Sequence, residues 1–137
     1  GQMKRPYIIH RTSMGCYERT LALLIEKYAG AFPLWLAPEQ IRVLPIGDEH
    51  IDYAKKVRDR LFAAGLRVEL DDSSNTIGYK IRATQMQKVP YMLVVGDSEV
   101  EKCQVSVRRR GEDGDLGAMK TEDYIAMAVE EIETKKI

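Results

Sequence analysis

Cysteine is nearly absent from this sequence: of 137 residues only Cys16 and Cys103 are cysteines, far apart and outside any CxxC. Two distant thiols exclude a disulfide framework, and with no charged-then-apolar leader read at the N-terminus the expectation is a reduced, cytoplasmic protein. Histidine is as scarce. His10 and His50 share no ligand spacing with the two cysteines, which excludes a self-contained zinc site. An excess of charge of one sign is missing too, since 21 Lys and Arg balance 21 Asp and Glu. There is therefore no global polycationic field, and any nucleic-acid site must be a local patch. The most apolar stretch, TLALLIEKYAGAFPLWLAP, is cut by Glu26, Lys27, Pro33 and Pro38. It falls short of the roughly 20 apolar residues that a membrane span needs. Neither a P-loop, a GxGxxG nor a GxSxG elbow occurs. RGEDGDLG looks like a calcium loop, but counting from Asp113 puts Gly117 fifth and Tyr124 twelfth, where a carboxylate is required, so it reads as a turn.

Hydrophobic residues make up 45% of the chain, enough for a core of useful size. The pattern begins with a short strand, Tyr7 to His10, then a helix in which Leu21, Leu24, Ile25 and Tyr28 recur at helical spacing and Gly30 acts as the stop. AFPLWLAP, broken by two prolines, reads as a packed connector with a boundary near Pro38. Beyond it, apolar runs alternate with helical stretches, which predicts α/β architecture. The expected strands are Gln40 to Ile46, Leu66 to Leu70, Tyr91 to Val95 and Gln104 to Arg110. The first expected crossover helix carries Ile51, Ala54, Val57, Leu61 and Ala64 on one face and stops at Gly65. A second helix, IGYKIRATQMQ, follows the polar loop DDSSNT, and Gly96 and Asp97 read as a turn. The last, TEDYIAMAVEEIETKK, is expected to start with Thr121 as its cap. Lys80, Arg82, Lys88, Arg108, Arg109 and Arg110 form a basic set that suits either a solvated strand edge or phosphate contacts to a nucleic acid, for which Lys80, Arg82, Arg109 and Arg110 are the candidates.

At HRTSMGCYERTLALLIE, continuing into YAGAFPLWLAPEQ, the sequence resembles the end of the catalytic domain of threonyl-tRNA synthetases and its junction with their anticodon-binding domain. SMGCYER is similar to the third signature motif of class II synthetases, with Ser13 in place of the first glycine and Gly15 and Arg19 kept. The resemblance runs on through DDSSNTIGYKIR, VPYMLVVGDSEVE, VSVRRR and DLG, and so covers essentially the whole chain. It implies a remnant of the catalytic domain over residues 1–37. A three-layer α/β anticodon-binding domain would fill residues 38–137, with a mixed sheet of about five strands flanked by helices.

The resemblance also implies roles. The longer parent would be an ATP-dependent ligase, using magnesium and zinc, that activates threonine and transfers it to tRNA; the parent is expected to be a homodimer. This piece is expected to bind the anticodon stem-loop of a threonine tRNA, to hold no cofactor, to catalyse nothing, and to self-associate through residues 1–37. His10 matches a zinc ligand whose two companions are not in this chain, and Arg19 matches the arginine that stacks on the adenine of ATP. Glu99 and Arg108 match an acid and an arginine used on the middle anticodon base, a guanine. A carboxylate accepts from guanine N1 and N2, and an arginine fork donates to O6 and N7. The family's asparagine before IGYK corresponds here to the stretch Ser73, Ser74 and Asn75, with Asn75 displaced by one position. Two other readings remain: the related anticodon domain of a prolyl, glycyl or histidyl enzyme, and a free-standing regulatory module without an RNA ligand.

Overall fold

The computed structural model describes residues 1–111 and 114–137. These form two separate units, Gly1–Gly30 and Ala31–Ile137. In the first, α1 (Tyr17–Tyr28) ends where Ala29 enters the left-handed region at φ 49° and its N–H bonds back to the last turn. None of its residues is buried, and Leu21 and Ile25 are exposed. The strand expected over Tyr7 to His10 is not formed. Tyr7, Ile8 and Ile9 stand in solvent, because a lone strand has no neighbour to take its N–H and C=O groups.

The second unit is a five-stranded sheet built from β1 (Ile41–Pro45), β2 (Val68–Leu70), β3 (Tyr91–Val95), β4 (Gln104–Arg109) and β5 (Asp115–Lys120). The strand order is β2-β1-β3-β4-β5. β1 runs parallel to β2 and β3, whereas β4 is antiparallel to β3 and β5, so the sheet is mixed. Runs such as YMLVV are apolar on both sides because both faces are covered. On one face Ile41, Val43, Leu93, Val95, Val105 and Val107 pack with Ala54, Val57 and Leu61 of α2 (Ile51–Ala63) and Tyr124 and Ala128 of α5 (Thr121–Glu133). On the other, Leu44, Met92 and Val94 meet Ile77 and Ile81 of α3 (Ile77–Met86). This is the expected three-layer arrangement. Among the described residues no helix is long and apolar enough to cross a membrane.

The connector packs with the second unit, which begins at Ala31. Leu34 and Ala37 are buried, Gln40 Nε2 donates to the Leu34 carbonyl, and Arg67 Nε donates to that of Ala37. Three local expectations are corrected. Asp97–Lys102 is a short helix, α4, where a turn was expected. Asp115 to Lys120, whose first three residues were expected in the RGEDGDLG turn, is the edge strand β5; Glu112 and Asp113, where the calcium count begins, lie outside the described residues. Only Met119 of β5 is more than slightly withdrawn from solvent, so the strand exists through its ladder to β4 and leaves almost no hydrophobic signal. Finally, Lys120 occupies the cap position of α5, and Thr121 is buried in its first turn.

Candidate nucleic-acid interface

Period-two alternation decides where the arginines of β4 point. Val105 and Val107 face α2 and α5, so Ser106 and Arg108 share the other face with their direct partners Val94 and Met92. The Arg108 guanidinium is about two-fifths exposed and lies 3.8 Å from Asp115 across the β4–β5 pair. Its Nε–H is buried without a hydrogen-bond partner among the described residues. Beside it is a hollow of about 200 Å³ bordered by Gln85, Met92, Arg108 and Asp115. Gln85 and Asp115 were not singled out from sequence. Nothing local marks them, since Gln85 comes from α3 and Asp115 from a strand with no apolar pattern.

Glu99 sits in the first turn of α4, and its Oε2 accepts the N–H of Gly96 at 3.0 Å. This acid reaching back to the residue before the helix holds the carboxylate in place while using one of its two oxygens. Arg108 is level with Met92, and α4 starts just beyond Val95 at the far end of the same strand. At about 3.3 Å per residue, the four steps from Met92 to Gly96 separate them by roughly 13 Å. No ion pair joins Glu99 to Arg108 among the described residues, so neither must be released before a third group enters between them.

The remaining basic candidates divide. Arg82 is exposed on α3. Arg109 points to the α5 side, its Nη2 3.5 Å from Glu131 and its guanidinium 6.0 Å from the Tyr91 ring centroid, and stays nearly half exposed. Lys80 is not on the surface: it is buried, and its Nζ donates to the carbonyls of Pro45 and Asp71 at 3.2 and 3.1 Å. Arg110 is also committed, donating to the carbonyls of Ala31 at 3.0 Å and Phe32 at 2.8 Å and to that of Lys88. Burial, followed by the charge of Arg109, lowers its pKa from the ordinary arginine value. Neither Lys80 nor Arg110 is presented to a phosphate, because backbone carbonyls already take their protons. Asn75 is exposed in the loop before α3, donating to Ser73 Oγ, and Ser73 in turn bonds Asp71.

Arg19 is exposed on α1, and His10 is exposed in a segment without helix or strand. No cysteine or acid joins His10 to make a zinc set among the described residues; the one grouping of three such side chains is Glu49, His50 and Asp97. That grouping is a poor cage for an ion. The Gly47 N–H donates to His50 Nδ1, so the proton is on Nε2 and is given to Asp97 Oδ1 at 2.9 Å, with Glu49 3.7 Å from the opposite nitrogen. Both ring nitrogens are in use.

A mixed sheet under two helical layers, with an arginine left open on its antiparallel end, defines a class, and sequence comparison identifies it. The chain belongs to the anticodon binding domain family, whose model matches residues 40–132. More particularly, it is similar to bacterial threonine–tRNA ligases. It is 53% identical over 136 residues to that of Clostridium perfringens (strain SM101 / Type A), covering 99% of this chain and 21% of the relative. The enzyme of Caldanaerobacter subterraneus subsp. tengcongensis is 52% identical over 137 residues, again 21% of its length. The chain thus spans about a fifth of the curated relatives it matches. The crystal structure of the RNA binding domain of threonyl-tRNA synthetase from Cryptosporidium parvum Iowa II superimposes with a TM-score of 0.80 at 34% identity, over 82% of this chain and 28% of that one.

Proposed function

We propose that this chain is the C-terminal part of a threonine–tRNA ligase and that its second unit reads the anticodon of a threonine tRNA. The observation that carries the reading is Arg108: a half-open guanidinium on the sheet face, with a buried Nε–H that has no acceptor among the described residues, at the position where the family's resemblance calls for a base reader. Its fork donates to O6 and N7 of an unstacked guanine while Glu99, fixed through one oxygen, accepts from N1 and N2. A purine and two extended side chains fill the gap between them. Arg82 and Arg109 supply phosphate contacts, and Asn75, in the loop after β2, lies at the end of the parallel strands where α4 begins. Residues 1–37 are the tail of the catalytic domain. In the whole cytoplasmic, homodimeric enzyme Arg19 stacks on the adenine of ATP. Magnesium and zinc serve that enzyme, with His10 as one zinc ligand, but the residues of this chain do not complete either site. On its own the chain binds RNA and catalyses nothing.

The test is a binding series with anticodon stem-loops carrying guanine or adenine at the middle position, over a range of salt. Affinity for the guanine form must fall as salt rises. Replacing Arg108 with alanine should remove about 1–3 kcal/mol of preference for guanine. Salt-independent affinity, no binding at all, or an Arg108→Ala variant with full preference would overturn the reading. Competition with proline, glycine and histidine stem-loops decides among the related enzymes.

A further inference from the structure

The proposed reader Glu99 is on a helix of six residues. A helix that short cannot hold itself in water, because nucleation uses up nearly all of its hydrogen bonds. Something outside α4 must keep it in place: Val100 packs against the core, and the polar link at the start of the helix is His50. That residue ends the 3-10 turn Asp48–His50 after β1 and is almost fully buried, though polar. Its Nδ1 accepts the Gly47 N–H at 3.1 Å and its Nε2 donates to Asp97, the first residue of α4, at 2.9 Å. The same two loops are joined next door by Ile46 N–H to the Val95 carbonyl at 2.9 Å. The ring thus bridges the ends of two adjacent parallel strands, with one nitrogen on each side. Gly96 packs against Ile46 and gives its N–H to Glu99, so displacement of Asp97 moves the carboxylate two residues on.

We propose that His50 is a positioning residue for anticodon reading: its neutral imidazole locks α4 to the loop after β1 and so sets where the Glu99 carboxylate meets the middle base. This rests on the assignment of Glu99 as a base reader. The imidazole is suited to the task because it accepts and donates through two atoms on a rigid ring, which an aliphatic residue of similar size cannot do.

The experiment measures stem-loop affinity for guanine against adenine at the middle position with the 137-residue chain. His50→Leu should lower the guanine preference by about tenfold, within the range one base contact supplies, and leave affinity for the adenine form unchanged. His50→Gln, whose amide can accept from Gly47 and donate to Asp97, should recover most of the preference. Because a buried substitution can unfold the chain, Asp97→Ala breaks the same link from a side chain that is largely exposed. It should reproduce the loss, whereas Asp97→Asn, still an acceptor for Nε2–H, should not. Undiminished preference in Asp97→Ala, or an Asp97→Asn variant as impaired as the alanine, overturns the proposal. Glu99→Ala separates the two levels. If it keeps full preference, the assignment of Glu99 fails and the role of His50 fails with it. If it loses preference while Asp97→Ala does not, only the positioning role is wrong.

Discussion

Replacing Arg110 with alanine separates a structural arginine from an RNA-binding one. The guanidinium donates to three backbone carbonyls, two of them in the connector at Ala31 and Phe32 and one at Lys88. Alanine leaves those carbonyls without their donor. A hydrogen bond involving a charged group is worth about 1.5–3 kcal/mol when buried, and partial exposure here lets water replace part of it, so the sum should be about 2–3 kcal/mol. With an unfolding entropy of about 2.1 cal/mol/K per residue, a unit of this size loses roughly 4 °C per kcal/mol. The expected fall in Tm by calorimetry is therefore about 8–12 °C. Arg109→Ala is the control, since its side chain stays nearly half exposed beside Glu131. It should cost under about 1 kcal/mol, while weakening all RNAs alike and reducing the salt slope. The reasoning would be refuted by an Arg110→Ala protein that melts within 2 °C, on the order of the error of such estimates, of wild type and shows the lost salt dependence instead.

Lys80→Ala should lower stability by about 2–3 kcal/mol in urea titration and leave the salt slope of RNA binding intact, because its ammonium bonds the Pro45 and Asp71 carbonyls. Leu61→Ala opens a cavity between α2 and the sheet and should cost about 2–5 kcal/mol by the same assay. Tyr91 and Tyr124 have phenol pKa values raised above the ordinary 10.0, mainly by burial, and Tyr91 also donates to Glu131 at 2.7 Å. The neutral phenol is favoured in the folded state, so this contribution is complete below pH 10 and is lost as pH rises above it. Alkaline unfolding followed by circular dichroism should steepen beyond pH 10, and Tyr91→Phe should make that slope shallower.

Helical spacing in IDYAKKVRDRLFAAG and the apolar runs around Val43 and Leu93 were enough to place α2, β1 and β3, since burial on one face or two writes its period into neighbouring residues. The family resemblance pointed to Glu99 and Arg108, and alternation along β4 already put Arg108 on the face opposite Val107. What local pattern cannot carry is the partner of a side chain that lies far along the chain. Lys80 and Arg110 read as surface cations because nothing in the neighbouring sequence marks a charged side chain as buried, yet one is spent on carbonyls 35 and 9 residues away and the other on carbonyls as many as 79 residues away. β5 lacks an apolar face and is held by backbone pairing to β4, and α4 is too short for any period, so both became visible only in three dimensions. The contact between His50 and Asp97, separated by 47 residues, has the same origin: parallel strands bring their ends together in space while keeping them distant in sequence.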